Sequence, residues 1–312
     1  MNMVTAEFVV DVPCGTGEGP LWHPDEQLLL WTDITGGTLH RYDPATGKHD
    51  TLLEHDRPIG GFTLQPDGSL LLFRDRGNVV VFRNGAVAET VIDHIPGEEE
   101  LRFNDVIADP EGRVFAGTMK GGDTLGRLYR IERDGSYEAV VDGVGCSNGM
   151  AFTEDLRKLY YIDTAANRID AFDYDRETGS ITNRRTVASL HKSRGEAGGP
   201  DGMTLDANDR LWVASFGGAG VFGFECDGTP RGKIIDVPTP RVTSLTFAGE
   251  DLCEIYITSA GGGQRNDDDP HAGSLFYARS PVPGRAEFRS RIGIAVSDRL
   301  QATAKNRSTR RV

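Results

Sequence analysis

Six segments of the chain align on one another without gaps, and this internal repeat limits the fold more than any other feature. The repeats begin at EGPLWHP (Glu18), GGFTLQP (Gly60), NDVIADP (Asn104), NGMAFTE (Asn148), DGMTLDA (Asp201) and TSLTFAG (Thr243). Their first residues are 42 to 44 positions apart, except for one step of 53. A period of about 40 to 45 residues is typical of one four-stranded propeller blade. The repeats therefore predict an all-β, six-bladed β-propeller with four-stranded blades.

The residues inside each repeat follow the pattern of β-hairpins. In the first repeat, the apolar run LLLWTD ends at Asp33, and the run LHRYDPATGK from Leu39 closes on a Thr-Gly turn. No segment keeps an i, i+3, i+4 apolar pattern for three turns, so long helices are not expected. Residues 5–12 form a lone apolar segment before the first repeat, and we expect them to pair with the last blade and close the ring.

The repeat also decides the domain organisation. A length of 312 residues suggests two domains by size alone, but the blades of a propeller bury their faces only against each other. Residues 1–291 are therefore predicted to form a single propeller domain. The Gly-rich, charged insertion at residues 190–199 is predicted to be a surface loop beside the central opening. Residues 292–312, with little apolar content, are predicted to be a disordered basic tail.

Net charge and hydropathy restrict the partners of the chain. The formal net charge is −13, whereas binding to phosphate backbones requires clustered Lys and Arg. No apolar run approaches the length of a membrane span, and the N-terminus lacks a basic start followed by an apolar core. We therefore expect a cytoplasmic protein that binds neither nucleic acid nor membranes.

The first residues of the six repeats, which we call the column, carry the strongest functional signal. The innermost strand of each blade runs beside the propeller axis, so equivalent residues converge on one end of the channel. Glu18 and Asp201 would repel each other there unless a cation lies between them, because that column contains no Lys or Arg. Asn104 and Asn148 add amide oxygens, which hard cations bind without further charge. The set predicts an oxygen-rich cage suited to Ca²⁺, Mg²⁺ or Mn²⁺.

A structural interpretation competes with the metal site at each of these positions. Asn and Asp before a strand often accept hydrogen bonds from nearby backbone donors, and a lone Glu in a Gly-rich segment is usually exposed. Their occurrence in one register of the repeat favours the metal site. Three or four protein oxygens also fall short of the six to eight that Ca²⁺ binds, which leaves room for water and substrate.

Five longer motifs carry a resemblance to a known family. They are GEGPLW from Gly17, RFNDVIADPEGRVFAGTM from Arg102, CSNGMAFTEDLRKLYYIDT from Cys146, GGPDGMTLDANDRLWVASFGG from Gly198 and PTPRVTSLTFAGEDLCEIYITSA near the end. Together they resemble the senescence marker protein, regucalcin and gluconolactonase family. The resemblance implies a six-bladed propeller that binds one divalent cation and, in most enzymes of the group, hydrolyses sugar lactones to aldonic acids.

The resemblance also implies roles for individual residues. The family's metal ligands fall on Glu18, Asn148 and Asp201, while Asn104 falls close to metal and substrate and Arg102 falls on a substrate-contacting position. We therefore expect a divalent-metal-dependent lactonase in which the metal polarises the carbonyl and Asp201 is the general base. Ca²⁺ is the expected ion, with Zn²⁺, Mn²⁺, Mg²⁺ and Fe²⁺ as alternatives, and a small sugar lactone is the expected partner.

Three alternatives remain open from the sequence. The alternative to a substrate-contacting role for Arg102 is a structural one, a surface ion pair with Glu99 or Glu100. A cation that polarises C=O also polarises P=O, so a phosphotriesterase-like hydrolase is a second enzyme function. A non-catalytic calcium-binding propeller is the third class.

One loop departs from the family pattern. Some sugar lactonases of the family place a substrate-contacting carboxylate after the GTM motif, where this chain has Gly122 between Lys120 and Asp123. The sugar preference is therefore not carried over.

Three further aspartates, Asp33, Asp75 and Asp163, lie at equivalent ends of second strands and are predicted to cap turns. The chain has no Gly-x-Ser-x-Gly elbow and no paired histidine motif, which disfavours a serine hydrolase.

Overall fold

The computed structural model describes residues 3–190, 198–263 and 265–293. These residues form six sheets arranged in a ring, each with four antiparallel strands, so the predicted six-bladed propeller with four-stranded blades is confirmed. The helical content of the described residues is a single 3₁₀ turn, Thr164–Ala166. No helix in these three ranges is long and apolar enough to cross a membrane.

The strands run outward from the channel in each blade. Blade one contains β3 (Gly17–His23), β4 (Leu28–Asp33), β5 (Thr38–Asp43) and β6 (Lys48–Glu54), and blade two contains β7 (Ile59–Leu64), β8 (Leu70–Arg74), β9 (Val79–Arg83) and β10 (Ala86–Ile92). Blade three contains β11 (Arg102–Ala108), β12 (Val114–Met119), β13 (Gly126–Ile131) and β14 (Tyr137–Val144), and blade four contains β15 (Ser147–Phe152), β16 (Lys158–Asp163), β17 (Arg168–Tyr174) and β18 (Ile181–Ala188). Blade five contains β19 (Gly199–Leu205), β20 (Leu211–Phe216), β21 (Gly220–Phe224) and β22 (Pro230–Asp236), and blade six contains β23 (Val242–Ala248), β24 (Glu254–Ser259) and β25 (Leu275–Arg279).

The N-terminal segment closes the ring. Strand β2 (Glu7–Val10) pairs antiparallel with β25 and supplies the fourth strand of blade six, as the sequence predicts. Strand β1 (Val4–Thr5) instead pairs in parallel with β22 of blade five. The segment therefore joins two neighbouring blades and covers sheet edges that would otherwise be open.

Apolar side chains fill the space between neighbouring blades. Between blades five and six, Trp212 and Ala214 of β20 pack with Leu245 and Phe247 of β23. Between blades four and five, Leu211 and Val213 belong to a separate cluster. Because successive residues of a strand point to opposite faces, one strand contributes to two cores. This packing fixes the innermost strands of neighbouring blades against each other.

After β25 the chain crosses the face of the ring at which the first and second strands of the blades are joined. We call residues 280–292 the strap and this face the floor; the opposite face is the mouth. Along the strap, the Gly284 N–H donates to Leu252 of blade six (N···O 2.8 Å) and the Ser290 N–H donates to Leu64 of blade two (2.9 Å). The strap therefore covers the floor of the channel.

The end of the strap shifts one predicted boundary. Ile292 is fully buried, and its N–H donates to Gln65 Oε1 (N···O 3.1 Å). The packed chain thus extends to at least Ile292, one residue beyond the predicted end of the domain at residue 291. Most of the predicted surface loop at residues 190–199, and the rest of the predicted basic tail, lie outside the described residues.

Candidate metal and substrate site

Each of the six innermost strands is irregular where the site lies. The pairing of β11 with β12 shifts register between Phe103 and Val106, and the inner strands of the other five blades shift at the equivalent position. A β-bulge re-aims side chains that strict alternation would direct elsewhere. The bulges therefore shape the mouth of the channel around its six strands.

The predicted column residues lie together at the mouth and are buried. Glu18 is 2% exposed, Asn148 3%, Asn104 5% and Asp201 6%. They come from four different blades, which the interblade cores hold in fixed positions. The side chains therefore form a cage of two carboxylates and two amides.

The two remaining members of the column are structural. A Cβ at Gly60 would lie 2.0 Å from the Phe103 carbonyl oxygen, so the close approach of the two inner strands requires glycine. Thr243 Oγ1 donates to the carbonyl of Gly17 and bonds Thr258 Oγ1 (O···O 2.5 and 2.9 Å). These residues tie neighbouring strands together and leave the cage to the other four blades.

A hydrogen-bond chain fixes the two amides of the cage. Asn104 Nδ2 donates to Asn148 Oδ1 (2.9 Å) and to the Ser147 carbonyl (2.6 Å). Asn148 Nδ2 donates to Thr164 Oγ1 (2.7 Å), whose hydroxyl donates to the Pro200 carbonyl (2.6 Å). The chain of bonds orients Asn148 so that Oδ1 faces the cage and keeps one acceptor position free of the Asn104 bond.

Glu18 is held by its neighbour in the strand. Gly19 has φ +54°, a left-handed conformation that glycine adopts without a steric penalty. In that conformation the Gly19 N–H donates to Glu18 Oε2 (2.9 Å). The other carboxylate oxygen is therefore the one available to a ligand in the cage.

Arg102 lies inside the cage and makes no ion pair with Glu99 or Glu100 among the described residues. Its Nη1 donates to the Phe103 carbonyl (2.9 Å) and to Asn104 Oδ1 (2.7 Å). The surface ion pair, which was the structural alternative for Arg102, is thus not formed. Burial lowers the pKa of the guanidinium, although the nearby carboxylates oppose that effect. Arg102 is therefore positioned beside the carboxylates with donors still available on the other nitrogens.

The third carboxylate of the site is Asp105, which the sequence reasoning missed. Strict alternation along β11 would place Asn104 and Asp105 on opposite faces, but the bulge turns both toward the channel. The repeat pattern selects only residues in the column, and Asp105 lies one position after the column residue Asn104. Only a predicted bulge would have identified this residue.

Electrostatics in the cage are unfavourable for three carboxylates. Burial, followed by the negative charges of Asp105 and Asp201, raises the pKa of Glu18 well above its usual range. Burial and the charge of Asp105 also raise the pKa of Asp201, with Arg102 opposing. In the described part of the chain, none of the three forms an ion pair with Lys, Arg or His. One guanidinium therefore faces three carboxylates.

Below the cage, the channel contains another acid contributed by the strap. Glu287 and Asp105 line the same narrow cavity, together with Met150 and Met203. Burial raises the pKa of Glu287 to about 7. Burial also raises the pKa of Asp105 to about 7, and the charge of Glu287 adds to that effect while Arg102 opposes it. The sequence reasoning missed Glu287 because its position depends on how the strap crosses the floor.

These residues fit a divalent cation. The donors are carboxylate and amide oxygens, which hard cations prefer, and a doubly positive ion would neutralise the excess of buried negative charge. No three side chains of His, Cys, Asp and Glu form a metal-binding cluster in the ranges described. A cation in the cage would therefore need the amide oxygen of Asn148 in addition to the carboxylates of Glu18 and Asp201.

The other candidate residues have structural roles or lie at the rim. Asp33 accepts hydrogen bonds from the N–H groups of Gly15 and Thr16 (2.9 and 2.8 Å). Asp163 caps the equivalent turn of blade four, as predicted. Asp75 differs, because its carboxylate pairs with Arg57.

The loop after the GTM motif is open to solvent. Lys120, Gly122 and Asp123 are all exposed. Burial raises the pKa of Cys146, another residue at the mouth, to about 12. Its thiol stays protonated near neutral pH, so Cys146 is not a thiolate nucleophile.

Known proteins are similar to this chain in sequence and fold. Residues 16–261 match the family model described as the SMP-30/Gluconolactonase/LRE-like region. The chain is similar to the pentonolactonase XacC of Haloferax volcanii, with 44% identity over 92% of this chain and 98% of the relative. It is 34% identical to regucalcin of Xenopus laevis, covering 88% and 94% of the two chains.

A solved structure agrees with the sequence comparisons. The luciferin-regenerating enzyme superposes with a TM-score of 0.82 and 29% identity, covering 92% of this chain and 99% of that one. The matched family region spans all of the cage residues, from Glu18 to Asp201. The chain therefore belongs to the SMP-30/gluconolactonase/LRE-like family.

Proposed function

We propose that this protein is a divalent-cation-dependent hydrolase that opens a small sugar lactone to the aldonic acid. The observation that carries the proposal is the concentration of Glu18, Asp105 and Asp201 around a single guanidinium at the mouth of the channel. Buried charge of one sign is unfavourable unless a ligand compensates it. Membership of a family whose members include lactonases supports the choice of substrate.

Glu18, Asn148 and Asp201 are proposed to hold the cation, and Ca²⁺ is our first choice because all the donors are oxygens. Asn104 keeps Asn148 oriented through its hydrogen bond. When bound, the cation would polarise the lactone carbonyl and stabilise negative charge on its oxygen.

The reaction needs a base and a group that orients the substrate. We assign the base to Asp201, whose carboxylate takes a proton from the attacking water. The water oxygen bonds to the carbonyl carbon, the ring C–O bond breaks, and the ring oxygen takes up a proton to become a hydroxyl. Arg102, fixed by Phe103 and Asn104, would donate hydrogen bonds to substrate oxygens.

Acid release from a panel of lactones tests the proposal. The protein is stripped of metal and reconstituted ion by ion with Ca²⁺, Zn²⁺, Mn²⁺, Mg²⁺ or Fe²⁺. We expect acid release from gluconolactone, xylonolactone or a similar lactone only after a divalent ion is restored. No metal-dependent acid release from any lactone would contradict the proposal. Faster hydrolysis of paraoxon than of every lactone would favour a phosphotriesterase, and tight Ca²⁺ binding without any hydrolysis would favour a binding protein.

A further inference from the structure

The rim of the mouth carries an exposed aromatic ring at the seam between blades five and six. Phe216 ends β20 and is 41% exposed. It shares the face of Trp212 and Ala214, which pack toward blade six. An exposed ring at this rim can contact a molecule that enters the mouth.

Phe216 also stands beside the cage. Its partner across the sheet is Gly199, two residues before Asp201 on the innermost strand. Two residues of a strand span about 7 Å, which is close to the size of a sugar ring. Because Gly199 has no side chain, the flank of Phe216 that faces the channel axis is not covered by its cross-strand partner.

Arg241 lies next to this ring and repeats the position of Arg102. Each arginine stands two residues before the column residue of its blade, Asn104 in blade three and Thr243 in blade six. Each also forms an antiparallel bridge with the end of the preceding blade's second strand, Arg102 with Asp75 and Arg241 with Phe216. In a ring of six blades, the third and sixth are opposite each other. The two arginines therefore stand at equivalent backbone positions on opposite sides of one mouth.

The backbone under this pair is fixed. The N–H groups of Gly217 and Ala219 both donate to the Pro240 carbonyl (2.8 and 3.1 Å), and Arg241 Nη1 contacts the Gly261 carbonyl (3.4 Å). An aromatic ring and a multi-donor cation on rigid backbone are the groups that bind a polyhydroxylated carbon skeleton, because one covers C–H bonds and the other donates to hydroxyl oxygens.

We propose that Phe216 and Arg241 form a sugar-binding subsite at the mouth, opposite Arg102. The inference rests on the proposed lactonase function and specifies its substrate class. Phe216 packs against the carbon skeleton of the lactone and Arg241 donates hydrogen bonds to its hydroxyl groups. The pair thereby selects polyhydroxylated lactones over unsubstituted lactones of the same ring size.

The test compares two lactones that share the ester and the five-membered ring. kcat/KM is measured for xylono-1,4-lactone and for γ-butyrolactone, which lacks hydroxyl groups, with Phe216→Ala and Arg241→Gln. We expect each substitution to lower the kcat/KM for xylono-1,4-lactone relative to that for γ-butyrolactone by about tenfold. The cause would be a higher KM for the sugar lactone, with kcat largely retained. Phe216→Tyr should keep the ratio, and so should Tyr137→Ala, which removes an exposed ring from the outer strand of blade three.

Each result decides the inference. An unchanged ratio in both variants would overturn it while leaving the lactonase function intact, and so would an equal fall for both substrates, which would indicate a structural role. If the wild-type protein hydrolyses no lactone with any metal ion, the proposed function and the subsite fail together. If γ-butyrolactone is not hydrolysed, the KM for xylonolactone decides, and an unchanged KM in both variants would overturn the subsite.

Discussion

Two sets of buried carboxylates in this propeller have opposite surroundings. Asp109, at the floor end of blade three, accepts hydrogen bonds from Arg113 Nε (2.6 Å) and the Tyr174 hydroxyl (2.8 Å). Its other oxygen accepts two backbone N–H groups. Asp201, at the mouth, is similarly buried but shares its surroundings with Asp105 and Glu18. The first carboxylate is paired with a cation and hydrogen-bond donors of the protein, whereas the second shares one guanidinium with two other carboxylates.

A second buried carboxylate, Glu98, also contacts donors of the protein, in this case from blade three. Glu98 is fully buried and accepts hydrogen bonds from the Tyr129 hydroxyl (2.6 Å) and Arg127 Nη1 (2.9 Å). Burial of a charge is therefore not in itself a functional signal in this molecule. The signal is a group of buried carboxylates that share one guanidinium, and Glu18, Asp105 and Asp201 beside Arg102 form such a group.

The largest expected effect comes from Asp201→Asn, which keeps the shape of the side chain but removes its charge and basicity. We expect kcat for the best lactone to fall by about 10³-fold or more. Stability of the metal-free protein should stay the same or rise, because one repelling charge has been removed. Steady-state kinetics and denaturant unfolding measure the two quantities. A near-normal rate would contradict the assignment of Asp201.

Asp109→Asn is the matched substitution at a satisfied carboxylate, and it should give the opposite result. Removing one partner of a buried ion pair leaves Arg113 uncompensated, so the free energy of unfolding should fall by about 3–5 kcal/mol. kcat/KM should be nearly unchanged at temperatures where the variant is folded. A large loss of activity in the folded variant would show that the comparison between the two sets is wrong.

A smaller effect is expected from the cation itself. Carboxyl groups whose pKa is raised in the folded state bind protons more tightly when folded, so the metal-free protein should lose stability as pH rises above the unfolded value of about 4. Saturating Ca²⁺ should remove that loss and stabilise the wild type by about 3 kcal/mol at 100 times its Kd. Thermal unfolding at several pH values, with Asp201→Asn as the control, measures this. Equal stabilisation of both proteins would contradict cation binding at the cage.

The smallest effect concerns a buried histidine in the third strand of blade one, outside the cage. His40 stacks on Trp31 and bonds His49 (N···N 3.1 Å), and burial lowers its pKa to about 4. The unfolded chain then binds the proton more tightly, so stability should fall by about 1–3 kcal/mol as pH drops from 6.5 toward 4. His40→Gln should flatten this part of the pH profile. An identical profile in the variant would refute the assignment.

Much of the fold follows from the sequence because the repeat is both regular and physically restrictive. The spacing of the column from Glu18 to Thr243 predicts six blades, and the polar residues in that column predict where the cage lies. The closing strand β2 follows from the lone apolar segment before the first repeat. These features depend on periodicity, which a single sequence contains.

The remaining features depend on contacts between distant parts of the chain. Asp105 reaches the channel only because β11 bulges, and a bulge breaks the alternation on which strand predictions rest. Glu287 enters the channel only because the strap crosses from blade six to blade two. The partner of Arg102 is likewise set by the cage and not by its neighbours Glu99 and Glu100.

The strap determines by which route a substrate could enter the channel and a product could leave it. Because the strap covers the floor, the lactone and the aldonate of the proposed reaction would have to pass through the same opening, and a bound aldonate would exclude the next lactone. Opening the ester would create a new anion near Asp105 and Glu287, and repulsion from the ionised forms of these acids would speed its release. A channel that is open at one end and lined by acids would thus favour release of an anionic product.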